Sequence, residues 1–176
     1  GLSFPPIPLS FLAWFALVPL FFVIDKREKL HEINKAVYLT AFIFCLITLY
    51  WVGAFTEARD PYLLVAGFAL LFFNPLLFLI PSTLFYFTKK YFNKKIAFLF
   101  FPIFWVTYEY AYMITDASFP WLTLANSFTT FITYIQLAEI IGALGISLLI
   151  IFTNVFIFFA IDRKSTRLNS SHGIIS

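Results

Sequence analysis

The sequence is poor in charge. Only 12% of its 176 residues are Asp, Glu, Lys or Arg, whereas soluble domains carry about a quarter. The formal net charge of +3 is too small to indicate a nucleic-acid partner. Hydrophobic residues make up 61% of the chain and aromatic residues 22%. A chain of this size cannot bury so much apolar surface within itself, so the composition excludes an ordinary soluble domain and predicts a membrane protein.

Cysteine is almost absent. Cys45 stands alone, which excludes an intramolecular disulfide and a multi-cysteine metal site. It lies in the apolar run AFIFCLITLYW, where a small buried side chain is favoured over a nucleophile because no sequence neighbour would stabilise a thiolate. His31 lies in a basic stretch and is predicted to be solvated. Gly-rich phosphate loops, H-E-x-x-H and G-x-S-x-G are also missing. We therefore predict no catalytic residue, no metal site and no cofactor.

Long apolar runs dominate the chain. A membrane-spanning helix needs about 17–25 residues, and five runs meet that length. They are continuous, whereas barrel strands alternate apolar and polar residues. The chain begins at Gly1 without the charged region of a signal peptide, and we interpret this start as a truncation. The prediction is an all-α polytopic membrane protein, with about five transmembrane helices in a bundle, at about 7–24, 36–55, 62–88, 96–113 and 134–161.

Basic residues are confined to alternate loops. The stretches 25–35 and 89–95 hold eight Lys and Arg residues, whereas the loops 56–61 and 114–130 have only one. Lys and Arg concentrate in cytoplasmic loops. The pattern predicts that 25–35 and 89–95 are cytoplasmic and that 56–61 and 114–130 lie on the opposite side of the membrane.

Three polar residues interrupt the apolar segments. Ionisable groups at membrane depth usually face a cavity or a partner. For Glu109, in FWVTYEYAYM, that role and an interfacial carboxylate reaching the headgroups both remain open. Glu139, in YIQLAEIIG, lies near an expected helix start, where the helix dipole favours a carboxylate. Asn154 is expected to form interhelical hydrogen bonds.

The last residues differ from everything upstream. The stretch DRKSTRLNSSHGIIS, 162–176, is polar and lacks aromatic residues. Its back-translation, beginning GAT CGG AAG AGC, matches a widely used sequencing-library adaptor. We interpret 162–176 as translated adaptor and place the end of the natural sequence at Ile161. The alternative is an ordinary cytoplasmic tail.

Four stretches together resemble the apolipoprotein N-acyltransferase family. LSFPPIPLSFLAWFALVPLFFVI is similar to the family's opening, and LYWVGAF to its W-V segment. FWVTYEY with SFPWLTLANS resembles its W-x-x-x-E region and F-P-W-L loop, and QLAEIIGALGISLLIIFTN its Q-x-A-x-x-x-G-x-x-G-x-S stretch. Their order matches across nearly the whole chain. One departure is Tyr112, which stands where family members commonly have Arg.

This resemblance implies a bundle of helices in a bacterial inner membrane that carries a periplasmic nitrilase-like domain. The loops 56–61 and 114–130 would then be periplasmic. It further implies acyl transfer from a phospholipid to the N-terminal cysteine of a diacylated lipoprotein. The catalytic Glu, Lys and Cys of the family lie in the nitrilase-like domain, so this fragment is expected to be inactive. Its candidate lipid- or domain-contacting residues are Glu109, Phe119, Pro120 and Trp121. A small non-enzymatic transporter is the alternative, although such proteins tend to show interrupted helices in repeated halves, which are not evident here.

Overall fold

A computed structural model describes residues 3–4, 9–49, 51–52, 61–115, 120–129 and 131–172. All regular structure in these ranges is helical. Three short 3₁₀ helices accompany the longer ones, at Ser10–Trp14, Pro120–Leu122 and Leu124–Phe128. The α-helices are α1 (Val18–Asp25), α2 (Leu30–Leu49), α3 (Pro61–Leu77), α4 (Leu79–Tyr91), α5 (Lys94–Met113) and α6 (Ile132–His172).

Four helical stretches are long and apolar enough to cross a membrane. They are Leu30–Leu49, Pro61–Tyr91, Lys94–Met113 and Ile135–Lys164, and the shorter apolar stretch Ser10–Asp25 accompanies them. A helix of 20 residues is about 30 Å long, which matches the hydrocarbon core of a bilayer. The chain is therefore an all-α, multi-pass membrane protein, as its composition predicts.

Two of these stretches are interrupted. The apolar segment 62–88 forms two helices, α3 and α4, which meet at Phe78. Pro81 explains the break, because proline has no N–H for the carbonyl four residues earlier and clashes with it. In α6 the backbone bends at Gly142, where φ is 73° and ψ is 167°. Only glycine adopts this conformation readily, which explains why the residue at the bend is a glycine.

A cluster of phenylalanines forms the centre of the bundle. Phe21, Phe85, Phe98, Phe101 and Phe158 are all at most 1% exposed. Their rings meet mainly edge to face, with centroids 4.8 Å apart for Phe85 and Phe98 and 5.3 Å apart for Phe21 and Phe101. Lipid tails are as apolar as these side chains, so burial alone provides no driving force between membrane helices. Ring packing therefore holds α1, α4, α5 and α6 together.

Asn154 in α6 binds the irregular backbone that precedes α1. Its Nδ2 donates to the Ala13 carbonyl at 2.8 Å, and its Oδ1 accepts from the Leu17 N–H at 2.9 Å. The side chain has no exposed surface. Non-helical backbone at membrane depth must find partners inside the protein, and Asn154 supplies them. This confirms the interhelical role expected for it.

The basic stretches meet at one end of the bundle, which we call the basic end (residues 25–30 and 89–95). The Lys89 ammonium donates to the carbonyls of Asp25 and Arg27, at 2.7 and 2.8 Å. Lys94 pairs with Asp25 at 2.8 Å and with Asp162 at 3.3 Å. The carbonyls at the C-terminus of α1 carry partial negative charge, so Lys89 compensates for it. These contacts join α1, α4 and α5, and Asp162 adds α6 through the first residue of the stretch interpreted as adaptor.

Candidate functional site

The segment between α5 and α6 folds back against the end of the bundle opposite the basic end. It contains the 3₁₀ helices Pro120–Leu122 and Leu124–Phe128, which Thr123 separates in an extended conformation. Ser127 and Phe128 are buried, at 0% and 3% exposure. This segment, residues 120–129, is called the outer loop below. It is packed against the helices, so its backbone requires hydrogen-bond partners within the protein.

Glu109 supplies one of those partners. Its carboxylate is 4% exposed. Oε1 accepts from the Leu124 N–H at 2.9 Å and from the Trp105 indole N–H at 3.0 Å. Leu124 opens the second 3₁₀ helix of the outer loop, and the first N–H groups of a helix have no partner within it. Glu109 therefore acts within the protein and not as an interfacial carboxylate reaching lipid headgroups.

Ser147 of α6 holds the next N–H group of the same turn. Its Oγ accepts from the Ala125 N–H at 3.1 Å, and its side chain lies beside the Glu109 carboxylate. The Glu109 Oε2 is buried and has no hydrogen-bond partner among the described residues. Helices α5 and α6 thus fix the outer loop through two adjacent backbone N–H groups. Beside these two N–H groups, the Glu109 Oε2 remains without a hydrogen bond to any described residue.

An apolar cavity of about 220 Å³ lies next to this anchor. Trp105 and Leu124, the two donors to Glu109, both line it. The first 3₁₀ helix, the turn before α1 and one face of α2 form its other walls, and almost all of its surface is carbon. An apolar cavity of about 150 Å³ stays dry and binds small apolar molecules. This larger one therefore suits hydrocarbon better than water.

Two tryptophans meet where the outer loop touches the end of α2. The rings of Trp51 and Trp121 are 6.2 Å apart and nearly perpendicular. Each residue is 38% exposed. The Trp51 indole N–H donates to the Thr48 carbonyl at 2.9 Å. Half-exposed tryptophans with one apolar and one polar side are typical of the membrane–water interface.

The structure brings together part of the predicted site. Glu109 of α5 binds the outer loop at Leu124, and Trp121 lies within that loop, against Trp51. Pro120 begins the first 3₁₀ helix of that loop, and Phe119 lies outside the described residues. Sequence reasoning gave no role to Ser147, although a hydroxyl within the apolar run GISLLIIF marks a buried polar position.

The remaining candidates have no catalytic surroundings. Cys45 has no exposed surface and packs with Leu49 and Leu122, which confirms the small core residue that the sequence favours. His31 has 75% of its side chain exposed, as predicted. Glu139 is exposed on α6. Within the described ranges, no group of three or more His, Cys, Asp or Glu side chains is placed to hold a metal ion.

The helical bundle, with its apolar cavity beneath the anchored outer loop, is a lipid-embedded domain. Its described residues form no evident reaction centre. Comparison with known proteins identifies its kind. The profile of the apolipoprotein N-acyltransferase N-terminal domain matches residues 1–156. The chain belongs to this family. This membership favours the acyltransferase interpretation over the small transporter.

Two relatives show the extent of the match. The apolipoprotein N-acyltransferase of Chlorobaculum tepidum is 32% identical over 169 residues, which cover 94% of this chain and 30% of the relative. The protein of that name from Geobacter metallireducens is 29% identical over 161 residues, covering 90% and 30% respectively. The chain thus corresponds to about a third of the length of these relatives. No solved structure matches it significantly.

Proposed function

We propose that the chain is the N-terminal membrane domain of an enzyme that transfers an acyl chain from a phospholipid to the N-terminal cysteine of a diacylated lipoprotein. The observation that carries this proposal is the family match over residues 1–156. The named relatives are apolipoprotein N-acyltransferases about three times as long as the matched region. The phospholipid and the lipoprotein are therefore the proposed partners, and the membrane is the site of action.

The proposed role of this domain is to present lipid to the rest of the enzyme. The 220 Å³ cavity has the apolar lining that an acyl chain requires. Glu109 fixes the outer loop above it through the Leu124 N–H. Trp121, with Phe119 and Pro120 before it, would then contact either lipid or the catalytic part of the enzyme at headgroup depth. Support comes from the half-exposed Trp51–Trp121 pair.

We further propose that the 176-residue chain alone has no acyltransferase activity. Acyl transfer through a covalent intermediate needs a nucleophile, a base within hydrogen-bond reach and donors for the oxyanion. The only thiol, Cys45, is buried among apolar side chains. The Glu109 carboxylate is committed to the outer loop, where it accepts from the Leu124 and Trp105 N–H groups.

Complementation tests this proposal. The chain is expressed in a strain depleted of its own N-acyltransferase, with the full-length Chlorobaculum tepidum enzyme as the positive control. Mass spectrometry of a reporter lipoprotein is expected to show the triacylated form only with the full-length enzyme. Triacylated reporter from the 176-residue chain would contradict the proposed inactivity. In that event a Cys45→Ser variant shows whether the buried thiol is the nucleophile.

We also propose that the basic end faces the cytoplasm of a bacterium and the outer loop faces the periplasm. Support comes from the positive-inside rule and from the contacts that gather Lys89 and Lys94 at one end. The test is cysteine labelling from outside the cell in a Cys45→Ser background. Ser118→Cys is expected to react in intact spheroplasts and Lys95→Cys only after permeabilisation. The opposite order would invert the proposed topology.

A further inference from the structure

A groove at the basic end lies between the first turns of α2 and the start of α4. Its six lining residues are Leu30, His31, Asn34, Lys35, Tyr38 and Leu79. It is wide and open, with a volume of about 590 Å³. It is separate from the cavity below the outer loop, because the two share no lining residue. Leu79 is the first residue of α4, directly after the break at Phe78.

The uncharged polar groups of the groove are already used within the protein. Asn34 donates to the Thr83 hydroxyl at 3.3 Å and accepts from the Ser82 hydroxyl at 2.8 Å. The Tyr38 hydroxyl donates to the Phe72 carbonyl at 3.3 Å. These bonds hold the walls of the groove in place. Because the neutral polar groups already have partners, a ligand of the groove would be selected by charge.

The available charge is positive. Lys35 is exposed, and its ammonium pairs with no residue among those described. The exposed ring of His31 lies one helical turn earlier on the same face, and its Nε2 is 3.9 Å from the Glu32 carboxylate. Lys35 is five residues from the start of α2, or about 7.5 Å along the helix axis. A lysine in the first turns of a spanning helix can extend its side chain to the lipid phosphates.

The helical face that carries these two residues continues as hydrocarbon. Leu39 and Ile43 follow Lys35 at intervals of four residues, so they form one ridge with it. They are 50% and 55% exposed, respectively. Beside the ridge, the rings of Phe42 and Phe72 are 5.4 Å apart and close the gap between α2 and α3. A molecule with an anionic head and an apolar chain matches this order of charge and hydrocarbon.

We propose that the groove binds one anionic phospholipid of the leaflet at the basic end, with its phosphate at Lys35 and His31 and one acyl chain along Leu39 and Ile43. A free phosphate would match only the head of this site. A second protein chain would need a complementary acidic surface at the same membrane depth. The exposed apolar ridge therefore favours a lipid. The head of this site is separate from the cavity below the outer loop, whereas Ile43 also lines that cavity. The proposal does not depend on the proposed acyl transfer.

Native mass spectrometry of the 176-residue chain tests the proposal, with phosphatidylglycerol and phosphatidylcholine as probes in neutral detergent. We expect phosphatidylglycerol to be retained preferentially. Lys35→Gln should weaken its binding about fivefold, as expected for one basic residue near a membrane surface, whereas Lys35→Arg should retain it. Lys95→Gln is the matched control, because it removes the same charge from another exposed residue at the same end.

Three results would overturn the proposal. Equal losses in Lys35→Gln and Lys95→Gln would show that attraction to the basic end is diffuse. Equal retention of the two lipids by the unaltered chain would show that the phosphate environment is not selective. Complete displacement of the lipid by glycerol phosphate would show that the apolar ridge adds nothing. Lys35 is exposed and unpaired among the described residues, so circular dichroism should show unchanged helicity in its variants.

Discussion

Replacing Asn154 or Asn74 with leucine is expected to change stability in opposite directions. The two asparagines are matched in burial, at 0% and 3% exposure. Asn154 makes three hydrogen bonds, to Ala13, Leu17 and Ile150. Neither polar atom of the Asn74 side chain has a partner among the described residues. Leucine is close to asparagine in size, so each substitution mainly tests the polar groups.

The magnitude for Asn154→Leu follows from the groups left behind. The Ile150 carbonyl keeps its helical partner, the backbone N–H of residue 154, but the Ala13 carbonyl and the Leu17 N–H lose theirs. A buried backbone group without a partner costs about 1–3 kcal/mol, and hydrogen bonds between membrane helices average about 0.6 kcal/mol. We therefore expect a loss of about 1–4 kcal/mol in the free energy of unfolding.

Asn74→Leu should instead leave the free energy of unfolding unchanged or raise it. A buried amide without hydrogen bonds costs about 1–3 kcal/mol in protein mutational data. The substitution removes this cost and places hydrocarbon in an apolar helix that contains Pro75. A gain of up to about 2 kcal/mol is expected.

The assay is unfolding in mixed micelles as the fraction of sodium dodecyl sulfate rises, followed by circular dichroism. Thr153→Val is the control on α6, because the Thr153 hydroxyl bonds only to Leu149 in its own helix. The expected order of stability is Asn74→Leu, then Thr153→Val, then Asn154→Leu. Equal destabilisation by the two asparagine variants would refute the argument, since partner number would then not decide the outcome.

Three further predictions use the same unfolding assay. The free energy of unfolding of Glu109→Gln should lie within about 1 kcal/mol of the unaltered chain, because the glutamine carbonyl oxygen still accepts from both donors. Glu109→Ala should lose about 2–4 kcal/mol, because both donors are left unpaired. Equal losses in the two variants would show that the charge, and not the acceptor, matters. Asp25→Asn should cost about 1 kcal/mol and Asp162→Asn less, because Lys94 is 2.8 Å from the first carboxylate and 3.3 Å from the second; the reverse order would show that the distance to Lys94 does not determine the contribution of each carboxylate. Gly142→Ala should cost about 1–3 kcal/mol, because φ is 73° there; an unchanged midpoint would exclude strain at that bend.

Local composition was sufficient to predict which segments form helices and which loops lie together. Apolar runs of spanning length become helices because lipid leaves the backbone no other partner. The basic stretches share one end because two crossings, Leu30–Leu49 and Pro61–Tyr91, separate them. The helix break at Phe78 was harder to predict from the sequence, because Pro75 lies within α3 and Pro102 lies within α5 without ending either helix. The presence of a proline therefore does not by itself determine where a helix ends.

The partners of buried polar groups were beyond the reach of local reasoning. Asn74 and Asn154 both occur in apolar helices, yet only Asn154 meets irregular backbone, and that backbone lies 137 and 141 residues away in the chain. Glu109 shows the same dependence. Its sequence context left a choice between a cavity and the headgroups, but its strongest contacts are the indole of Trp105 and a backbone N–H of the outer loop. A loop packed at membrane depth needs an acceptor wherever its first turn begins, and the fold, not the neighbouring residues, determines which carboxylate lies there.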